Sequence, residues 1–168
     1  TFSGKKYHKK KNNLNYFKRE YEGRYQFKLL GEQDTEEILQ YLENWKDTKS
    51  HAEEHEFIES EAKGVKFLLE HEEVFDFKIG GVYIDGKLEA FCIGNYYEPE
   101  DMVYLPVEKA NPEIRGLYQY ICSEFLIEVF PNAGKENRED DMGIEGLRRS
   151  KESYNPISMV EKYTVIQK

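Results

Sequence analysis

The sequence predicts a mixed α/β domain, in which a mostly antiparallel sheet carries helices on both faces. Two alternating apolar runs, DFKIGGVYI and KLEAFCIGN, flank the turn residues Asp85-Gly86 and predict a β-hairpin. DMVYLPVEKA follows as a third strand. Apolar residues at helical spacing then predict a helix that ends near Val129, and a short strand follows near 134–139. Antiparallel strands followed by a strand–helix–strand unit are typical of such a sheet.

The other elements follow from the same periodicities. RYQFKLL at 24–30 predicts a strand, and Asp34-Thr35-Glu36 caps a helix that continues to about Trp45. Asn111 is the expected N-cap, and Pro112 the first residue, of the helix that ends near Val129. The remaining expected elements are helices at 3–21, 52–72 and 143–152 and a final strand, SMVEKYTVI, at 158–166.

Length and composition indicate one domain with a sizeable core, because the chain has 168 residues, 39% of them hydrophobic. The net charge of −9 argues against a protein that coats nucleic acid broadly, but it allows a local basic patch. Cys92 and Cys122 lie in apolar surroundings and are expected to be reduced core thiols. No apolar run approaches the roughly 20 residues that span a bilayer, and no signal peptide is visible, so we expect a cytoplasmic location.

The first predicted helix is basic although the protein is acidic. Its apolar stripe, which Lys10 interrupts, consists of Tyr7, Leu14, Phe17 and Tyr21. The opposite face carries Lys5, Lys9, Asn12, Tyr16 and Arg19. Two interpretations stay open, a solvated cationic face or a contact surface for nucleic-acid phosphates. The candidate nucleic-acid contacts are Lys5, Lys9, Lys10 and Lys11.

The segment His51-Ala52-Glu53-Glu54-His55 formally matches the H-x-x-E-H pattern of one class of metallopeptidases. Its neighbours are charged, it lies where a helix is expected to begin, and nothing marks a third ligand. We interpret the segment as a solvated helix face, and the sequence supports no metal site.

The stretch EKANPEIRGLYQY joins the predicted strand DMVYLPVEKA, which follows the hairpin, to the next helix. Helix N-termini present unpaired N–H groups and bind anions, and Arg115 in the first turn would add a donor fork for phosphate. Gly116 inside a helix is unfavourable by about 1 kcal/mol relative to Ala, which suggests a close approach to the backbone there. The alternative is a capped helix whose glycine eases packing against the sheet.

The order of elements resembles the fold of the GCN5-related N-acetyltransferases. Three stretches also resemble the C-terminal domain family of phosphatidylglycerol lysyltransferase: GKKYHKKKNNLNYFKREY, PEIRGLYQYICSEF, and above all NREDDMGIEGLRRSKESYNP with the EKY that follows. The resemblance covers nearly all of residues 3–166 and is strongest from Asn137 to Tyr163. It implies a single acyltransferase-like domain over 1–168, the C-terminal one of two in a longer tandem-domain protein, which agrees with an opening on Thr1 rather than Met.

The resemblance implies transfer of an aminoacyl group from aminoacyl-tRNA to a lipid or peptide-type acceptor. In the acyltransferase fold, the cofactor pyrophosphate binds at the corresponding junction, so the resemblance implies a pyrophosphate site at Arg115–Gly116. Only these two residues survive here from the usual Gln/Arg-x-x-Gly-x-Gly/Ala loop. Two alternatives stay open: a coenzyme A-dependent N-acyltransferase that uses acetyl-CoA, and a non-catalytic interaction domain.

The residues of Asn137–Pro156 suit such chemistry, which needs a proton acceptor, oxyanion donors and cations for tRNA phosphates. Acidic candidates for a base or an amine-binding group are Glu139, Asp140 and Asp141, and Tyr154 is a candidate hydrogen-bond donor. Candidate phosphate-binding residues are Arg138, Arg148 and Lys151, together with Arg115 and Gly116. The structural alternative pairs Arg138 with Glu145 or Asp141, and uses Tyr154 to anchor the last strand.

Overall fold

The computed structural model describes residues 2, 4–47, 55–71, 74–161, 163 and 165–167. Its helices are α1 (His8–Glu20), α2 (Thr35–Asp47), α3 (His55–Glu70), α4 (Leu117–Val129) and α5 (Glu145–Glu152). Its strands are β1 (Tyr25–Leu30), β2 (Lys78–Ile84), β3 (Lys87–Tyr97), β4 (Met102–Ala110) and β5 (Lys135–Asn137). A short 3₁₀ turn, Lys5–Tyr7, precedes α1. The element types predicted up to residue 152 are therefore confirmed, with ends that differ by a few residues.

The five strands form one sheet in the order β1-β2-β3-β4-β5. β1 to β4 are antiparallel to their neighbours, whereas β5 runs parallel to β4 after the α4 crossover. The predicted hairpin joins β2 to β3, and its two turn residues, Asp85 and Gly86, have φ values of 51° and 83°. The mixed, mostly antiparallel sheet predicted from the sequence is confirmed.

Helices cover both faces of this sheet. On one face α1 and α4 enclose a core that includes Phe17, Val82, Leu117 and Phe125. On the other face α2 and α3 enclose a second core that includes Ile38, Val65 and Phe91. No helix within the described residues is long and apolar enough to cross a membrane.

The parallel strands β4 and β5 pair over three residues only. Met102, Val103 and Tyr104 lie opposite Lys135–Asn137, and β4 then continues to Ala110 with no described strand beside it on that side. The two strands are unpaired beyond Tyr104, and we call the space beside β4 from there to Ala110, at the end of β5, the gap. One group of the functional candidates lies around this gap.

The predicted start of α4 is wrong. Asn111 does not cap a helix but closes a turn, in which its side-chain oxygen accepts the N–H of Glu113 at 3.0 Å. Its side-chain amide donates to Glu89 at 2.9 Å. The helix begins at Leu117, five residues after the predicted first residue Pro112, because Gly116 adopts the left-handed region with φ 88° and interrupts any earlier helix.

The predicted final strand is also wrong. The described residues between 157 and 167 form no strand, and the large apolar side chains among them are mostly or wholly exposed. A strand needs a partner edge, and β5, with three residues, offers too short a template. Most of the H-x-x-E-H segment, residues 51–54, lies outside the described residues.

Candidate functional site

Arg138 lies at the end of β5 and points into the gap between β4 and β5. Its guanidinium group donates to the carboxylate of Glu108 on β4 and lies 3.4 Å from that of Glu136. It also donates to the sulfur of Cys122 on α4 at 3.2 Å. The predicted alternative pairing of Arg138 with Glu145 or Asp141 is therefore wrong, because Glu108 and Glu136 are its partners.

Glu108 and Cys122 belong to the site although the sequence did not point to them. The side chain of Glu108 is 12% exposed, and burial raises its pKa, with Arg138 acting in the opposite direction. Cys92 and Cys122 are both free and buried, as predicted. Burial raises the pKa of the Cys122 thiol well above its usual value, and the thiol donates to Glu136 at 3.3 Å. A carboxylate within an apolar strand is the sequence signal that reveals Glu108.

Two cationic side chains make cation–π contacts with the ring of Tyr154. The guanidinium carbon of Arg138 lies 4.1 Å from the ring centroid, and the Lys10 ammonium nitrogen lies 3.7 Å from it. Burial raises the pKa of Tyr154 to about 12, with Arg138 lowering it, so the phenol keeps its proton at neutral pH. Tyr154 therefore connects α1, the end of β5 and the segment after α5, rather than anchoring a last strand.

Asp141 and Arg148 form an ion pair. Arg148 donates to both carboxylate oxygens of Asp141, at 2.5 and 3.2 Å, and the N–H of Gly143 donates to the same group at 2.9 Å. The hydrogen bond from Arg148, supported by that from Gly143, lowers the pKa of Asp141 to about 2. This pair shapes the loop before α5, and a carboxylate of such low pKa is a weak proton acceptor.

Lys151 holds the same loop from the other side. Its ammonium group donates to three successive backbone carbonyls, those of Arg138, Glu139 at 2.9 Å and Asp140 at 2.7 Å. This clamp supports a strained backbone, since Glu139 has φ 57°. The side chain of Glu139 is exposed at the rim.

The Arg115–Gly116 junction lies against α1. A Cβ at position 116 would lie 2.1 Å from the Asn13 carbonyl oxygen, so the predicted close approach exists and its source is α1. Arg115 donates to the Asn13 side chain at 3.0 Å, and its guanidinium carbon lies 4.6 Å from the Tyr16 ring centroid. A surface pocket of about 370 Å³ is lined by Asn12, Asn15, Tyr16, Arg19 and Arg115.

The candidates thus fall into two groups that α1 connects. The first group surrounds the gap between β4 and β5 and contains Lys10, Arg138, Tyr154 and Lys151. The second is the basic pocket beside Gly116. Lys5, Lys9 and Lys11 are exposed on the N-terminal part of the chain, whereas Lys10 is half-buried. Arg148 and Asp141 lie at the rim of the first group.

The chain matches the family described as phosphatidylglycerol lysyltransferase, C-terminal, over residues 1–166. It is 28% identical, over 98% of its length, to an uncharacterised protein of Mycoplasmoides gallisepticum, of which it covers 52%. It is 30% identical to a conserved protein of unknown function from Bacteroides thetaiotaomicron, whose crystal structure it matches over 95% of this chain and 53% of that one, with a TM-score of 0.84. The chain spans about half the length of these relatives.

A more distant structural relative shows the fold alone. A ribosomal-protein-alanine N-acetyltransferase from Brucella melitensis is 15% identical, with a TM-score of 0.58 over 85% of this chain and 99% of that one. Its likeness confirms the acetyltransferase-like architecture expected from the order of the elements. The match over nearly the whole length of the chain shows that it belongs to the phosphatidylglycerol lysyltransferase C-terminal family.

Proposed function

We propose that this domain transfers an aminoacyl group from aminoacyl-tRNA to a lipid or peptide-type acceptor. The observation that carries the proposal is the contact of Asn13 with Gly116. In this fold a cofactor pyrophosphate lies against the N-terminus of the helix that follows β4. Here the Asn13 carbonyl, an electronegative group, packs against that position, so the residues present do not fit a coenzyme A pyrophosphate.

The phosphate-binding capacity lies instead on the outer side of α1. Arg19 and Arg115 line one pocket with Asn12, Asn15 and Tyr16, and both arginines are exposed to solvent. Arginine forks bind phosphate oxygens in pairs, and the amide groups of asparagine add further donors. A pocket open to the surface suits a phosphate of a long polyanion, which cannot enter a closed site.

The exposed lysines extend this surface toward the N-terminus. Lys5 and Lys9 precede Asn12, Tyr16 and Arg19 at helical spacing, so a basic stripe runs along one side of α1. Lys11 adds charge beside it. Such a stripe could follow the acceptor stem of a tRNA while Arg115 contacts phosphates near its 3′ end, even though the net charge of the chain is −9.

The cluster around Arg138 provides the chemical environment for acyl transfer. Arg138 is a permanent cation near the gap, and Tyr154 keeps its phenolic proton as a hydrogen-bond donor. Both could stabilise the oxyanion that forms when a nucleophile attacks the aminoacyl ester. Lys151 and the Asp141–Arg148 pair hold the surrounding loop, which keeps these groups in place.

Binding of charged tRNA, followed by filter retention at several salt concentrations, tests the donor. Arg115→Ala should weaken binding about tenfold, because one phosphate contact is lost. The slope of the logarithm of the binding constant against the logarithm of salt concentration should become shallower by about one. Arg149→Ala is the matched control, since Arg149 is exposed on α5 and pairs with Glu145. Transfer of radiolabelled amino acid to phosphatidylglycerol vesicles or to a lysine-containing peptide then identifies the acceptor class.

A thermal-shift titration with acetyl-CoA separates the alternatives. We expect no saturable shift, whereas a ligand at 100 times its dissociation constant would add about 2.7 kcal/mol to the free energy of unfolding. A saturable shift that Arg115→Ala abolishes would replace the tRNA donor with an acyl-CoA. If neither charged tRNA nor acetyl-CoA binds, the domain is a non-catalytic interaction module.

A further inference from the structure

We propose that Lys10 takes up the proton of the attacking acceptor atom during transfer and returns it to the departing oxygen of the tRNA ester. This inference rests on the proposed aminoacyl transfer and assigns to Lys10 a role other than phosphate binding. In the transfer, the acceptor N–H or O–H loses its proton to the Lys10 amine as the new acyl bond forms. The ester C–O bond then breaks, and the same proton passes from Lys10 to the departing ribose oxygen, which becomes a hydroxyl.

The first argument is the direction in which Lys10 points. It lies on the inward stripe of α1 with Leu14 and Phe17, and Phe17 is completely buried. Its amino nitrogen lies 3.7 Å from the centroid of the Tyr154 ring, whereas Lys9 and Lys11 on either side are exposed. Lys10 thus faces the gap where the other candidates gather, and its neighbours in sequence face solvent.

The second argument is the absence of a counter-ion. Within the part of the chain that the structure describes, no carboxylate lies within salt-bridge distance of Lys10. The nearby carboxylate of Glu108 is hydrogen-bonded to Arg138. Lys10 contacts the ring of Tyr154 but has no described counter-ion, and the nearby permanent cation of Arg138 destabilises its ammonium form relative to the neutral amine.

The charged and titratable groups around Lys10 come from every element packed against it. Glu108 on β4 favours its charged form, while Arg138 after β5 and Lys9 on α1 disfavour it, and the Cys122 thiol on α4, whose pKa is raised by burial, is uncharged beside it. Burial, followed by Arg138, lowers the pKa of Lys10 to about 8. A substantial fraction of the amine is therefore neutral near physiological pH and can accept a proton, as an efficient general base requires.

The third argument is that the acidic candidates are engaged elsewhere. Asp141 is bound by Arg148 and the Gly143 N–H, and Glu108 is buried against Arg138. Glu139 directs its carbonyl to Lys151 and its side chain to solvent. Lys10 is only partly buried, so its side chain keeps some exposure to the surface.

Trace labelling with acetic anhydride measures the neutral fraction of Lys10 without any need for activity, because only the neutral amine reacts. The native protein and an added N-acetyl-lysine amide reference are labelled together between pH 6 and 11, and the peptide that carries Lys10 is quantified by mass spectrometry. We expect half-maximal labelling of Lys10 near pH 8, well below that of the reference. Half-maximal labelling at or above the reference overturns the proposal.

Lys10→Arg separates a proton acceptor from a phosphate contact, because arginine keeps the positive charge and does not lose its proton. We expect transfer from charged tRNA to fall by about 100-fold or more, while tRNA affinity changes by less than about twofold. We expect the rate of the wild type to rise with pH around pH 8, and the variant should lose this rise. Lys66→Arg is the control, since Lys66 lies on α3 across the sheet and pairs with Glu70.

The failures of the two proposals are distinguishable. Full activity of Lys10→Arg, with the pH profile unchanged, would show that Lys10 contributes only its positive charge. That result overturns the inference. No transfer by the wild-type protein overturns the tRNA donor itself, and with it the role of Lys10 in that reaction.

Discussion

The guanidinium group of Arg138 donates a hydrogen bond to the carboxylate of Glu108 across the gap that opens where β4 and β5 separate. This ion pair joins the two strands beyond the end of their three-residue pairing. The pair links the last residues of β4 to the start of the loop that Lys151 clamps, so it couples the sheet to the whole Asn137–Pro156 segment.

Arg138→Leu should destabilise the protein by about 3–5 kcal/mol, because it leaves the buried Glu108 carboxylate without its partner. The midpoint of thermal unfolding should fall on the order of 10 °C. The double variant Glu108→Leu/Arg138→Leu should recover much of this loss, since it removes both charges. If the single variant unfolds at the wild-type temperature, the ion pair makes no net contribution.

Gly116→Ala should destabilise the protein more than Gly143→Ala. Both glycines have positive φ, 88° and 74°, which is unfavourable for alanine by about 1 kcal/mol. Only position 116 adds a clash, because a Cβ there would lie 2.1 Å from the Asn13 carbonyl oxygen, whereas position 143 has nothing within 4 Å. We expect a further loss of about 1–3 kcal/mol for Gly116→Ala in urea unfolding. Equal effects of the two substitutions would mean that α1 moves away from α4 freely.

Asp141 should make the free energy of unfolding depend on pH in the acid range. Its folded pKa, lowered to about 2 by Arg148, lies below the usual aspartate value of 3.8. The contribution is therefore fully present above about pH 4 and is lost as pH falls toward 2. Thermal unfolding between pH 5 and 2 should show that the difference between wild type and Asp141→Asn shrinks over this window. A constant difference would show that Arg148 does not stabilise the carboxylate.

Cys92 and Cys122 should not react with thiol reagents in the folded protein. Both thiols are free and buried, and burial raises the pKa of each well above its usual value, so little thiolate is present to react. Ellman's reagent should titrate two thiols after unfolding in guanidinium and none in the native protein within minutes. Rapid native labelling of Cys122 would indicate that the Arg138 cluster opens to solvent.

Removal of residues 157–168 should change the midpoint of thermal unfolding by no more than about 2 °C. The described residues of this segment are exposed and belong to no strand, so their loss removes little buried surface. Tyr154 must be kept, because its ring contacts Arg138 and Lys10. A large loss of stability on truncation would contradict this prediction and would support the strand that the alternating pattern predicted at 158–166.

The segments that the sequence located correctly are those whose signal is local. Asp85-Gly86 specifies a hairpin because the turn requires positive φ at both positions, and the flanking alternation sets the register. The apolar stripes of α1 and α2 follow from helical spacing alone. The misplaced start of α4 had an equally clear local signal in Asn111-Pro112, but Asn111 hydrogen-bonds to Glu89, which lies on β3 and is 22 residues earlier in the chain.

The sequence by itself determined the mixed sheet, the basic stripe of α1, the reduced state expected of the cysteines and the segment where charged candidates gather. Tertiary structure decided what each charge does. It turned Lys10 toward Tyr154, paired Arg138 with Glu108, engaged Asp141 with Arg148 and brought Asn13 onto Gly116. The physical reason is that periodicity and turn chemistry depend on neighbours along the chain. Burial, ion pairing and proton affinity depend instead on groups that only the folded chain brings together.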